Sequence, residues 1–138
     1  MQQTEGLDRY TPYALALFRM MTALLFMEHG TQKLFGFPSA PASGLPTLLS
    51  LSGIAGIMEV VGGLLILFGL FTRPVAFLLS GQMAVAYWMA HAPQSFFPVL
   101  NGGDAAILFC FAFLLLVFTG PGAFSLDQTF RTKGAALR

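Results

Sequence analysis

The sequence predicts an all-α membrane protein, a bundle of four transmembrane helices with both termini in the cytoplasm. Three observations carry this. Of the 138 residues, 56% are hydrophobic and only 9% charged, against about 25% charged in a soluble domain. The mean hydropathy is +0.73. Four windows, 11–35, 50–71, 74–92 and 103–119, are continuous apolar runs bounded by charge, Pro or Gly, each near the roughly 20 residues that cross a bilayer as a helix. Such runs are not the alternating strands of a membrane barrel. The whole chain, 1–138, reads as one domain.

The N-terminus "MQQTEGLDRY" has no basic n-region, and the first apolar run is long and carries Arg19, so the first span is expected to stay rather than be cleaved. Within it Arg19, Thr22, Phe26, His29 and Lys33 recur at steps of 3 and 4 and form one stripe, while Glu28 points away from it. In the second span Ser52, Ala55, Glu59, Gly62 and Gly69 share a face; small residues there allow close helix approach. A carboxylate on such a face needs a partner, for which Arg19, His29 and Lys33 are the candidates.

In the third span Gln82 and His91 are nine positions apart and point in opposite directions from a straight helix, although Pro93 permits a change of direction after His91. His91, beside Tyr87 and Trp88, fits an interfacial aromatic belt as well as a functional role. Asp104 follows Asn101-Gly102-Gly103 at the start of the fourth span, where a carboxylate caps and complements the helix dipole. Ser125 and Gln128 make a capping-box pattern, which predicts a short interfacial segment over 123–133.

Arg9, Arg73, Arg131, Lys133 and Arg138 fall on the side shared by both termini and the 72–74 turn, whereas the loops 36–49 and 93–102 have no charge. By the positive-inside bias this orients both termini toward the cytoplasm. The uncharged loops carry Phe37, Leu45, Leu48, Phe96 and Phe97, so they rest on the membrane surface or fold over the bundle as a lid. At about 1.5 Å per residue, Glu28, His29, Lys33, Glu59, His91 and Asp104 gather in the outer half.

Several chemistries lack their residues. Cys110 is alone, without a C-x-x-C partner, which leaves no dithiol chemistry and reads as packing. No pair of ligands stands at i and i+4 for a metal. His29 and His91, at similar depth, are the one pair able to clamp a haem, and two histidines alone argue against it. No phosphate loop, dinucleotide fingerprint or nucleophile elbow is present, and with a net charge of +1 there is no basic patch for nucleic acid.

The segments "HGTQKLFG" (29–36), "EVVGGLLILFGLFTR" (59–73), "MAVAYWMAH" (83–91), "NGGD" (101–104) and "GPGAFSLD" (120–127) occur in this order. The chain thereby resembles the DoxX family of small four-helix bacterial membrane proteins, over nearly its whole length. The resemblance implies quinone-linked respiration, quinone detoxification or resistance to oxidative or thiol stress. It carries to His29, Gly30, Gln32, Lys33, Glu59, Gly62, Gly63, Arg73, His91, Asn101 and Asp127. Members of the wider group of four-helix quinone enzymes use cysteine pairs, which this chain lacks.

Three functions follow as expectations: a quinone-interacting component of a membrane oxidoreductase; a non-catalytic subunit packing on a larger membrane complex or on its own copies; or a small carrier or proton conductor, for which no internal repeat speaks. The expected ligand-binding residues are His29, Gln32, Lys33, Glu59, His91 and Asn101, in a polar pocket under the outer loops. Arg19, Gln82, Asp104 and Arg73 are expected to be structural, and no redox centre or metal of its own is expected.

Overall fold

The computed structural model describes residues 5–136; Arg138, counted above for orientation, lies outside them. Among the described residues the chain is helical and has no strand. The elements are α1 (Glu5–Asp8), α2 (Thr11–Phe35), α3 (Leu51–Phe68), α4 (Thr72–Ala86) with a π-helical turn (Tyr87–His91), α5 (Pro98–Asn101), α6 (Asp104–Thr119) and α7 (Leu126–Ala136). The window 11–35 is met by α2, which Pro12 opens and Gly36, left-handed at φ 66°, closes. α3 is shorter than its window. Ser50 is its N-cap, accepting the Gly53 N–H at 3.1 Å, and Gly69, at φ 65°, ends it. The third window begins two residues earlier than expected, and its α-helix stops at Ala86. The short segment expected over 123–133 is helical from Leu126 to Ala136, as α7, with Ser125 Oγ accepting the Gln128 N–H at 3.3 Å. Two short helices, α1 and α5, were not expected from the sequence.

By length and hydropathy only α3 among the described residues meets the measure of a membrane-crossing helix, with 18 residues at mean hydropathy 2.1. α6 is apolar but has 16 residues, and α2, with 25, holds Arg19, Glu28 and Lys33.

The longer helices pack α2 on α3, α3 on α4 and α4 on α6. Glycine sets the first contact: a Cβ on Gly30 would stand 2.8 Å from the Glu59 Cβ and 2.9 Å from the Gly56 carbonyl oxygen, so only a bare backbone lets α2 and α3 come this close. On its other side α3 offers Gly62 to Leu79 of α4, where a Cβ would meet the leucine at 2.8 Å. Phe26, Ile66, Leu79, Phe113 and Leu116 fill the centre, and the Phe26 and Phe113 rings meet edge to face at 4.8 Å.

The end of the molecule formed by the start of α2, the α3–α4 turn and the chain after α6 is closed by a polar latch. Fully buried Arg19 donates to the carbonyls of Pro121, Ala123 (3.3 Å), Phe124 (2.9 Å) and Leu67 (3.5 Å). The Asp127 carboxylate accepts the N–H groups of Phe71 and Thr72 at 2.8 and 2.9 Å, capping α4 across the chain. Arg73 donates to the carbonyls of Val117 and Phe118 at 2.7 and 2.8 Å, satisfying acceptors at the end of α6. The Ala123 N–H donates to Pro12 at 2.9 Å, which ties this segment to the start of α2.

Candidate functional site

At the opposite end, α2, α3, α4 with its π-helical turn, and α6 enclose a cavity of about 650 Å³. Its polar wall residues are His29, Lys33, Ser52, Glu59, Gln82 and His91; the rest is apolar. That is the make-up of a small-molecule site, an apolar volume with a few convergent polar groups. The edge between α3 and α4 is made by exposed apolar side chains, among them Ile54, Leu78 and Val85.

Lys33 and Glu59 form an ion pair, Nζ to Oε1 at 2.5 Å. The lysine side chain keeps 27% of its surface exposed and the glutamate 2%. The close approach at Gly30 brings the two together, since Gly30 sits against Glu59 and Gly56 against the Lys33 stem. Of the three partners open to Glu59 in the sequence, Lys33 is the one realised. Arg19 is a correction: its guanidinium bonds three carbonyls of the 121–124 turn and that of Leu67, which offer it more hydrogen bonds than one carboxylate.

His29 is exposed at the cavity wall, its ring edge-on to Phe109 with centroids 5.7 Å apart. His91 reaches the cavity through the π-helical turn, in which the Ala92 N–H bonds the Tyr87 carbonyl at 2.9 Å. The extra residue in that turn rotates the helix by about 100°, so Gln82 and His91 line one wall although nine positions apart. The reorientation thus comes before Pro93, from the π-helical turn. His91 Nδ1 lies 2.9 Å from the Asn101 carbonyl. A carbonyl only accepts, so Nδ1 carries a proton and Nε2 is the ring atom left for other bonds.

Two expected ligand-binding residues stand apart from the cavity. Gln32 does not line it; its carbonyl accepts the Gly36 N–H in the helix cap, at 3.1 Å. Asn101 is buried and its amide is occupied by the 93–103 loop: Nδ2 donates to the Ser95 carbonyl at 2.8 Å, and Oδ1 accepts the Gly103 N–H at 2.8 Å. It supports His91 through its main chain. Gln82, expected to be structural, bonds α4 to α3, with Nε2 donating to the Ala55 carbonyl at 3.3 Å, and also lines the wall. Asp104 is the first residue of α6 with Gly103 in the cap position, so it acts on the helix dipole and not as the N-cap. Cys110 is half-buried, its sulfur 3.5 Å from Ser80 Oγ, and Glu28 is exposed, outside the cavity wall.

A DoxX family model matches residues 14–92 of the chain. An uncharacterised protein of Haemophilus influenzae is 44% identical over 136 residues, covering 93% of this chain and 98% of the relative. Two inner membrane proteins of Escherichia coli are similar as well. YphA is 33% identical over 85% of this chain and 90% of its own length, and YqjF 30% identical over 83% and 90%. No solved structure matches. The family match spans α2, α3, α4 and the π-helical turn, hence Lys33, Glu59, Gln82 and His91 together. The chain is a membrane protein of the DoxX family, in contact with the lipid bilayer.

Proposed function

We propose that this protein is a quinone-binding component of a membrane oxidoreductase or oxidative-stress system, a multi-pass protein of the bacterial inner membrane without a redox centre of its own. The observation that carries the reading is the cavity. Its apolar volume of about 650 Å³ suits a ring with part of an isoprenoid tail, and Lys33, beside Glu59, Gln82 and His91 in the wall, supplies the donor that orients a carbonyl head. The Lys33 ammonium keeps two further N–H donors beside the one given to Glu59. The absence of a cysteine pair from the sequence assigns electron transfer to a partner.

In the same proposal α2, α3, α4 with its π-helical turn, and α6 are the four spans, with both termini in the cytoplasm. The latch supports this orientation, since it gathers the N-terminal end of α2, Arg73 and the start of α7 at one end, where basic residues concentrate. Impermeant thiol reagent is expected to label a cysteine at Ser43 from outside, and one at Thr132 only after permeabilisation. Labelling at 132 in intact spheroplasts overturns the orientation.

The function is tested by titrating a short-chain benzoquinone into nanodisc-held protein. Gly81→Phe is the diagnostic variant. Gly81 lines the cavity and a Cβ there meets nothing within 4 Å, so the ring enters open space and the helix gains propensity. Saturable binding that Gly81→Phe abolishes, at unchanged melting temperature, is the expected result. Binding that survives the variant, or none at all, refutes the reading.

A further inference from the structure

Two acceptor atoms in the cavity-lining side chains have no protein partner. Glu59 Oε2 and Gln82 Oε1 are both closed off from solvent and accept no hydrogen bond, and Glu59 as a whole is 1% exposed. Their sister atoms are engaged, Oε1 of Glu59 by Lys33 and Nε2 of Gln82 by the Ala55 carbonyl. The amide cannot be turned round, because the Ala55 carbonyl only accepts and therefore needs the nitrogen. His91 Nε2 is a third acceptor in the neutral ring, since Nδ1 is spent on Asn101. The donors stand differently. Lys33 is 27% exposed, so water can serve its remaining protons. The unmet demand of the wall is for hydrogen-bond donors, since a buried acceptor without a partner is costly.

We infer that the site selects ligands by their hydroxyl groups: an aromatic ring bearing two O–H donors on an apolar tail, the reduced hydroquinone form in preference to the oxidised quinone. The inference rests on the quinone reading above and adds the redox form. A quinone offers only carbonyl acceptors and leaves Glu59 Oε2 and Gln82 Oε1 unserved. A hydroquinone of the same shape brings two O–H donors, one for each once the Glu59 and Gln82 side chains turn toward the ligand. The apolar remainder of the wall treats both alike, so the discrimination sits in these two residues.

The test uses full-length protein in phospholipid nanodiscs, titrated anaerobically with three ligands of one skeleton: a short-chain benzoquinone, its hydroquinone, and the hydroquinone dimethyl ether, which fills the same space without a donor. Two hydrogen bonds near 1 kcal/mol each predict the hydroquinone tighter than either other ligand by about tenfold or more. For a two-electron couple a tenfold preference raises the bound midpoint potential by about 30 mV, a second readout. Gln82→Met removes one acceptor at nearly constant volume and is expected to cut the preference severalfold, through the hydroquinone affinity. Equal affinity for the three ligands, or a preference that Gln82→Met does not reduce, overturns the inference and leaves quinone binding standing. Failure of every ligand to bind overturns the quinone reading as well.

Discussion

The two ends of this molecule each hold charge beside the apolar core, and they use it in opposite ways. At the latch Arg19 fills four carbonyls, Asp127 takes two N–H groups and Arg73 two carbonyls. Its polar groups are spent on main chain, with Arg19 Nε and Thr72 Oγ1 the exceptions. At the cavity end, charge meets charge in the single pair Lys33–Glu59, and two oxygens of the wall side chains stay without donors. The ends do not differ in the number of buried side-chain atoms left unpaired, two at each, but in where those atoms sit: at the cavity end they belong to side chains that line a volume the size of a small molecule.

The largest effect expected from this contrast is at Arg19. Arg19→Leu strands three carbonyls of the 121–124 turn and that of Leu67 and should destabilise the protein by about 3–5 kcal/mol, seen as the deepest loss of melting temperature in detergent. Glu59→Leu should cost less, about 1–3 kcal/mol, because the Lys33 left behind is part exposed and can reach water. Lys33→Met added to Glu59→Leu should restore part of that loss and still leave ligand binding abolished, a non-additivity read from the double-mutant cycle. If Glu59→Leu melts lower than Arg19→Leu, the contrast between the two ends fails.

A smaller effect belongs to Asp127. Asp127→Asn keeps one acceptor for the α4 N-terminus and gives up the charge, for about 1 kcal/mol, without altering ligand affinity. His91→Ala and Asp104→Asn come last. Each should shift stability by about 0.5 kcal/mol or less, in keeping with half-exposed and terminal positions. Only His91→Ala should weaken binding, and equal binding by the two variants would remove His91 from the site.

Much of this was legible in residue order. The stripe Arg19, Thr22, Phe26, His29, Lys33 depends only on helical period, and the structure buries its first three members and turns its last two to the cavity. The partner of Glu59 was narrowed to three and not to one, because depth along a helix says nothing of competing acceptors on a distant turn; Arg19 follows the carbonyls of Pro121, Ala123 and Phe124. That Gln82 shares a wall with His91 was hidden for a different reason. "AYWMAH" has no Gly or Pro to mark a π-helical turn, so residue order does not announce the phase shift. Asn101 resembles a binding residue in sequence, yet a loop with Gly on both following positions needs a side chain to organise it, and the amide is consumed there.

The apolar edge between α3 and α4, with Ile54, Leu78 and Val85 exposed along it, has a consequence for how affinity is to be expressed. A hydrophobic ligand entering by this side is drawn from the two-dimensional pool of the bilayer, where it is already concentrated by partitioning. Half-saturation then tracks the mole fraction of ligand among lipids, and diluting the sample with empty vesicles should titrate the ligand away at constant total concentration. Even a shallow site becomes filled under such conditions, because the membrane performs most of the desolvation beforehand.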